Sequence, residues 1–208
     1  MALDPTYLAA FKADLLSLSA EEVFTRYVAP DLCRGITDID QSSLRGQIAD
    51  HFGIAPQNVL IVGSAKLGFT LRHKPGRGDE GERLPFAEFN AGSDVDVAIV
   101  SDRLFDDIWK ACFSFWHTSG YANAGTYWPT GKHFRDYFFR GWMRPDHLPS
   151  EGSFRYKNDW FDFFRRMTNA RAAGDYKITA GLYRESYFLE AYQTIAINQC
   201  KSGAASAP

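Results

Sequence analysis

The sequence predicts an α/β (α+β) fold, a small mixed β-sheet flanked by helices, and three observations carry that expectation. Two short apolar runs rich in β-branched residues, 58–62 and 95–100, are each bounded by turn-forming or charged residues, as strands buried in a sheet are. Around them lie segments whose apolar residues recur at helical spacing. A third β-rich stretch, 176–182, follows a long helical region, so strands and helices interleave along the chain.

Taken in order, Asp4 before Pro5 is a helix start, and Leu8, Phe11, Leu15 and Leu16 continue at helical spacing, giving a helix over 5–17. Ser19-Ala-Glu-Glu22 reads as a capping box for a second short helix reaching about Val28, before Pro30 interrupts it. A third helix over 41–52 ends at Gly53, a residue free to take positive φ at a C-terminal cap. The strand 58–62 then feeds directly into Gly63-Ser64. Phe69 to Leu71 begin another extended piece, and 72–82 turns to Gly, Pro and charge, an exposed loop. After strand 95–100, Leu104, Phe105, Ile108, Trp109, Cys112, Phe113 and Trp116 mark one face of an amphipathic helix. Helices follow over 132–141 and 157–172, then strand 176–182, a last helix over 185–198, and a small polar tail, 202–208, expected to fray. The whole reads as one domain, with a core of 41–118 plus 176–182 and helical additions at 1–40 and 131–172.

Composition excludes several classes. With 45% hydrophobic and 15% aromatic residues among 208, the chain buries enough apolar surface to order itself. No run approaches the roughly 18 apolar residues of a membrane span, and the first residues lack the basic-then-apolar layout of a signal peptide, which points to the cytoplasm and to no membrane partner. Cys33, Cys112 and Cys200 are widely spaced and read as reduced structural thiols. The five histidines show no metal spacing, and Gly63 and Gly68 lack the Lys-Ser or Lys-Thr of a Walker-type loop. A net charge of −2 gives no bulk attraction to nucleic acid. Between 131 and 172, however, nine basic residues face five acids, interleaved with aromatic side chains from Phe134 to Phe164. A solvated, core-backed helical surface is the simpler reading of that segment, and a nucleic-acid-binding surface is the alternative.

Two short motifs have complementary chemistry. Gly63 lets the backbone approach a phosphate without a side chain in the way, and Ser64 adds a hydroxyl at the same turn. Asp94 and Asp96 are two apart on a strand, so their carboxylates share a face while Val95 and Val97 point into the core. Two carboxylates on one face suit a hard cation that completes its shell with substrate phosphate. Lys66, two residues past Ser64, and Arg72 are further candidates for contact with a triphosphate.

Gly63-Ser64 followed by Asp94-Val95-Asp96-Val97 resembles the signature of the polymerase β-type nucleotidyltransferase superfamily. The longer runs 62–71 and 93–100 are similar to those of small bacterial stand-alone nucleotidyltransferases, including ones encoded near defence and toxin modules. The resemblance covers roughly 41–118. It implies a polymerase β-like sheet, with Gly63 and Ser64 at the β- and γ-phosphates of a nucleoside triphosphate such as ATP. Asp94 and Asp96 would be catalytic and would hold magnesium or manganese, while an acceptor hydroxyl on RNA, protein or a nucleotide attacks the α-phosphate and releases pyrophosphate. The spacer from Ser64 to Asp94 is longer than the family's usual one, as an inserted 72–82 loop explains. The family also places a third acid on a later strand. The candidate strand 176–182 contains none, and Asp146, Asp175 and Glu185 are the substitutes nearby. That departure supports a second expectation, a degenerate module that binds nucleotide, a partner protein or a second copy of the chain without turnover.

Overall fold

The computed structural model describes residues 3–73, 81–118, 128–150 and 154–205. Helix α1 (Pro5–Ser17) is capped by the Asp4 carboxylate, which accepts from the Thr6 amide, and α2 (Ala20–Val23) by the expected Ser19/Glu22 capping box. The chain continues from α2 as a π-helical turn to Val28. Helix α3 (Asp38–Phe52) ends at Gly53 with φ +62 but starts ahead of the expected position, because the Thr37 hydroxyl accepts from the Asp40 amide.

Strand β1 (Val59–Val62) leads into the short helix α4 (Gly63–Leu67), and β2 (Asp94–Val100) into the amphipathic α5 (Asp102–Thr118). Beyond it come α6 (Gly131–Phe138), the two-residue β3 (Trp142–Met143) and α7 (Arg155–Asn169). The chain closes with β4 (Ala172–Asp175), β5 (Lys177–Tyr183) and α8 (Ser186–Ala205). The sheet has the order β1-β2-β5-β3, with β2 parallel to β5 and the other pairs antiparallel. It is therefore mixed and flanked by helices, as the sequence predicts.

Two expectations need correction. The helix expected over 157–172 stops at Asn169, and 172–175 form an extended segment that the sequence reading does not include, because Arg171 takes φ +54 and turns the chain out of α7. The tail does not fray at 202: α8 runs to Ala205, with Lys201 Nζ donating to the Leu18 carbonyl at 2.6 Å and Ser202 Oγ to the Asn198 carbonyl. Residues 206–208 and the middle of the expected 72–82 loop, 74–80, lie outside the described residues.

Period-2 alternation assigns the two sheet faces. Val95, Val97 and Ile99, with Val59, Ile61, Ile178 and Leu182, pack on one side among Leu44 and Ile48 of α3, Phe105 and Ile108 of α5, and Trp160 and Phe164 of α7. The other face presents Val62, Asp96, Ala98, Thr179, Gly181 and Tyr183, and Leu189 of α8 covers part of it. A second cluster, centred on Phe11, Leu15, Val23, Leu67, Phe69 and Ile197, ties the N-terminal helices to α4 and α8. All three cysteines are buried and unpaired. Among the described residues no helix is long and apolar enough to cross a membrane.

Candidate functional site

Sheet register places the chemistry. Val62, Asp96 and Thr179 sit side by side on β1, β2 and β5, so the residue after Val62 begins α4 next to the Asp96 side chain. Gly63 has φ +66, and a Cβ there would stand 3.1 Å from Asp96 Oδ2. Both the conformation and the close approach therefore require glycine. The other carboxylate oxygen, Oδ1, accepts from Thr179 Oγ1 at 2.6 Å. Ser64 is buried in the first turn of α4, and its hydroxyl has no hydrogen-bond partner among the described residues.

These groups open onto a cleft of about 850 Å³ lined by both faces of β5, with residues of α7 and α8 among its walls. Its walls are aromatic, with Trp142, Tyr183 and Tyr192 on one side and Trp160, Phe161 and Phe164 on the other. Among the described residues four basic side chains line it, Arg72, Arg144, Arg165 and Lys177, against two carboxylates, Asp96 and Asp146. The balance favours an anionic ligand. Burial pushes the Tyr183 hydroxyl far above its ordinary pKa, with the Tyr192 and Asp96 charges adding to the shift, so Tyr183 stays neutral and its ring serves as wall.

The structure thus brings together Gly63, Ser64 and Asp96. Asp94 shares their sheet face at the first residue of β2, in register with Lys177, but does not line the cleft. Lys66 is a correction. Two residues past Ser64 is about 200° around a helix, so its side chain leaves on the opposite side. Its ammonium is buried, donates to the Pro30 carbonyl, and has its pKa lowered by that burial.

Of the three substitute acids, Asp175 pairs with Arg171 and Glu185 with Arg184, both outside the cleft. Asp146 lines it, held in a two-pronged pair with Arg144 at 3.1 and 2.7 Å. The position beside Asp96 on β5 belongs to Thr179, a neutral hydroxyl. The aromatic-basic segment divides: Phe134, Phe154 and Phe163 are core, Trp142, Phe161, Arg144 and Arg165 reach the cleft, and the buried Phe164 belongs to both.

No family model, curated protein or solved structure matches the chain. The assignment therefore rests on the site's own chemistry. A divalent cation fits the donor set, since Asp94 and Asp96 offer two hard carboxylates on one strand face beside a basic cleft. These two residues would hold magnesium or manganese, with phosphate oxygens and water completing the shell. Among the described residues no group of three His, Cys, Asp or Glu gathers to hold a metal unaided.

Sequence reasoning passed over Thr179 as a site residue, while it weighed Trp142 only within the aromatic-basic segment and Arg72 only as a triphosphate contact beside Lys66. The alternation Lys177-Thr179-Gly181-Tyr183 in β5 was the available signal for Thr179, because it marks the face shared with Asp96. It also passed over Arg83, whose guanidinium donates to Asn90 Oδ1 and Ser93 Oγ at 2.6 and 2.7 Å and so fixes the approach to Asp94.

Proposed function

We propose that the chain is a magnesium- or manganese-dependent nucleotidyltransferase that seats a nucleoside triphosphate in the cleft, over Gly63 and Ser64, and transfers its nucleoside monophosphate to a hydroxyl acceptor. The observation that carries this reading is the contact of the Gly63 turn with the Asp96 carboxylate, beside a buried, unpartnered Ser64 hydroxyl, in a cleft whose charged walls are mainly basic. A divalent cation bound at Asp94 and Asp96 would supply charge neutralisation for the phosphates and the developing oxyanion.

The chain's own residues do the rest by positioning. Gly63 leaves room for phosphate, Ser64 offers a donor to it, and Thr179 fixes the orientation of the Asp96 carboxylate. The aromatic walls exclude water and offer faces to a base. The acceptor oxygen bonds to the α-phosphorus as the bond from that phosphorus to the pyrophosphate bridging oxygen breaks. The hydroxyl proton leaves to a carboxylate, for which Asp146 is the residue that lines the cleft besides Asp96 among the described residues. The buried, unpaired thiols suit a reducing compartment, and we assign the chain to the cytoplasm.

The neutral Thr179 beside Asp96, on a strand that carries no acid between 176 and 182, favours a second reading in which the same cleft binds nucleotide without turnover. One experiment separates the two. Pyrophosphate release and nucleotide binding are measured for each of the four ribonucleoside triphosphates with magnesium or manganese, on the native chain and on Asp94→Asn/Asp96→Asn. Release that the double variant abolishes is the expected result. Binding without release across a panel of RNA, protein and nucleotide acceptors would replace transfer by the second reading, and absence of metal-dependent binding would remove both.

A further inference from the structure

Besides Ser64 Oγ, two other buried polar atoms in the same cleft have no hydrogen-bond partner among the described residues: Arg72 Nε and Trp142 Nε1. Indole and guanidinium N–H groups only donate, and a serine hydroxyl can donate. Three buried donors without acceptors, one of them on a cation, form a costly arrangement in an empty protein and a complementary one around an oxyanion.

Local structure holds each of the two new donors in place. Trp142 Nε1 lies where a side chain at position 181 would stand, since a Cβ on Gly181 would be 2.6 Å from it. Gly181 is two residues along β5 from Thr179, so this N–H sits one step along the sheet face from the Asp96–Thr179 pair. The indole is stacked on Tyr183 with rings 5.6 Å apart and 3° from parallel, and Tyr192 and Tyr137 pack on it at 4.6 and 4.8 Å. Arg72 stands over the same Tyr192 ring at 5.5 Å. Its backbone is fixed by Thr70, whose hydroxyl bonds both the amide and the carbonyl of Arg72, while Thr70 itself is tied to Ala87 and Phe86. Tyr192 is therefore a neighbour common to both side chains, and both line the same cleft.

We infer that Arg72 and Trp142, together with Ser64, form an oxyanion subsite that binds phosphate groups without a metal ion. The inference deepens the nucleotide reading, because the same subsite would hold the phosphates of the triphosphate, but its metal independence makes it separately testable. Free polyphosphate and a nucleotide's phosphate chain offer the same oxygens, and the experiment distinguishes them.

The full-length chain is titrated calorimetrically at fixed ionic strength with sodium tripolyphosphate in the presence of a chelator, and separately with the magnesium nucleotide. Trp142→Phe keeps a ring on Tyr183 and Tyr192 but deletes the N–H, Arg72→Met keeps an apolar stem but deletes the charge, and Arg171→Met serves as a control cation outside the cleft. We expect tripolyphosphate to bind the native chain, with Trp142→Phe and Arg72→Met each weakening it at least about fivefold and Arg171→Met leaving it unchanged. Asp94→Asn/Asp96→Asn should retain tripolyphosphate binding. Tripolyphosphate that binds in chelator while no magnesium nucleotide does would uphold the subsite and overturn the nucleotide reading. Native-like affinity in both Trp142→Phe and Arg72→Met, or no tripolyphosphate binding by the native chain, would overturn the subsite even if the magnesium nucleotide binds.

Discussion

Replacing Gly63 by alanine should separate the cost of backbone strain from the cost of disturbing the site. At φ +66 a side chain raises the energy of the left-handed conformation by about 1–2 kcal/mol. For a chain of this size that corresponds to a fall in Tm of about 2–8 °C. The added methyl would also stand 3.1 Å from Asp96 Oδ2, closer than ordinary contact, while Thr179 holds the opposite oxygen at 2.6 Å. The carboxylate has to move and stretch that bond, so affinity for the magnesium nucleotide should drop at least about tenfold, a loss of about 1.4 kcal/mol. Gly53→Ala is the matched control. It carries the same backbone penalty at φ +62, but its nearest neighbour within reach is the flexible end of Arg103, at 3.3 Å. Urea melts and nucleotide titrations on both variants supply the test. The expected pattern is similar destabilisation in the two, with lost binding in Gly63→Ala alone. Native affinity in a folded Gly63→Ala would refute the argument that the turn and Asp96 form one site.

Other outcomes follow from the same geometry. Lys66→Met should leave nucleotide affinity within about twofold of native, since the ammonium faces the Pro30 carbonyl instead of the cleft; a tenfold loss in titration would place it in the site. His147 is held below its ordinary pKa of 6.5 chiefly by burial, with Arg144, His133 and Lys157 adding to the effect and Asp146 opposing it. The unfolded chain therefore takes up this proton first, so the stability contributed by neutral His147 is complete above about pH 6.5 and is lost as pH falls below that value. The slope of unfolding free energy between pH 5 and 7 should be smaller in His147→Asn, and an unchanged slope would show that other groups set it.

Three of the strands and the two motifs were legible because their signals are local. A β-branched run bounded by turn residues marks β1, β2 and β5 wherever the chain goes, and two aspartates two apart must share a strand face. Capping chemistry gave α1, α2 and the end of α3 equally well. Errors arose where the deciding partner is distant or the local preference is weak. Ala172 reads as the end of a helix, yet the turn at Arg171 sends it into β4, which packs beside α3. Residues 202–205 have no strong preference, and the neighbouring Lys201 is anchored by a carbonyl at the end of α1.

By itself, then, the sequence determined the mixed α/β character, the Gly63-Ser64 turn after one strand and the Asp94/Asp96 pair on another, since each depends on spacings of a few residues. Tertiary structure alone decided that Thr179 stands beside Asp96, across 83 positions of chain, and that Lys66 turns away from the cleft. It also decided that Arg72 and Trp142 share Tyr192 as a neighbour. These neighbours are fixed by the register of β2 against β5 and by the seating of α8 on the sheet. Burial of the opposite sheet face sets that register, because a slip of one residue would turn Val95, Val97 and Ile99 out of the core.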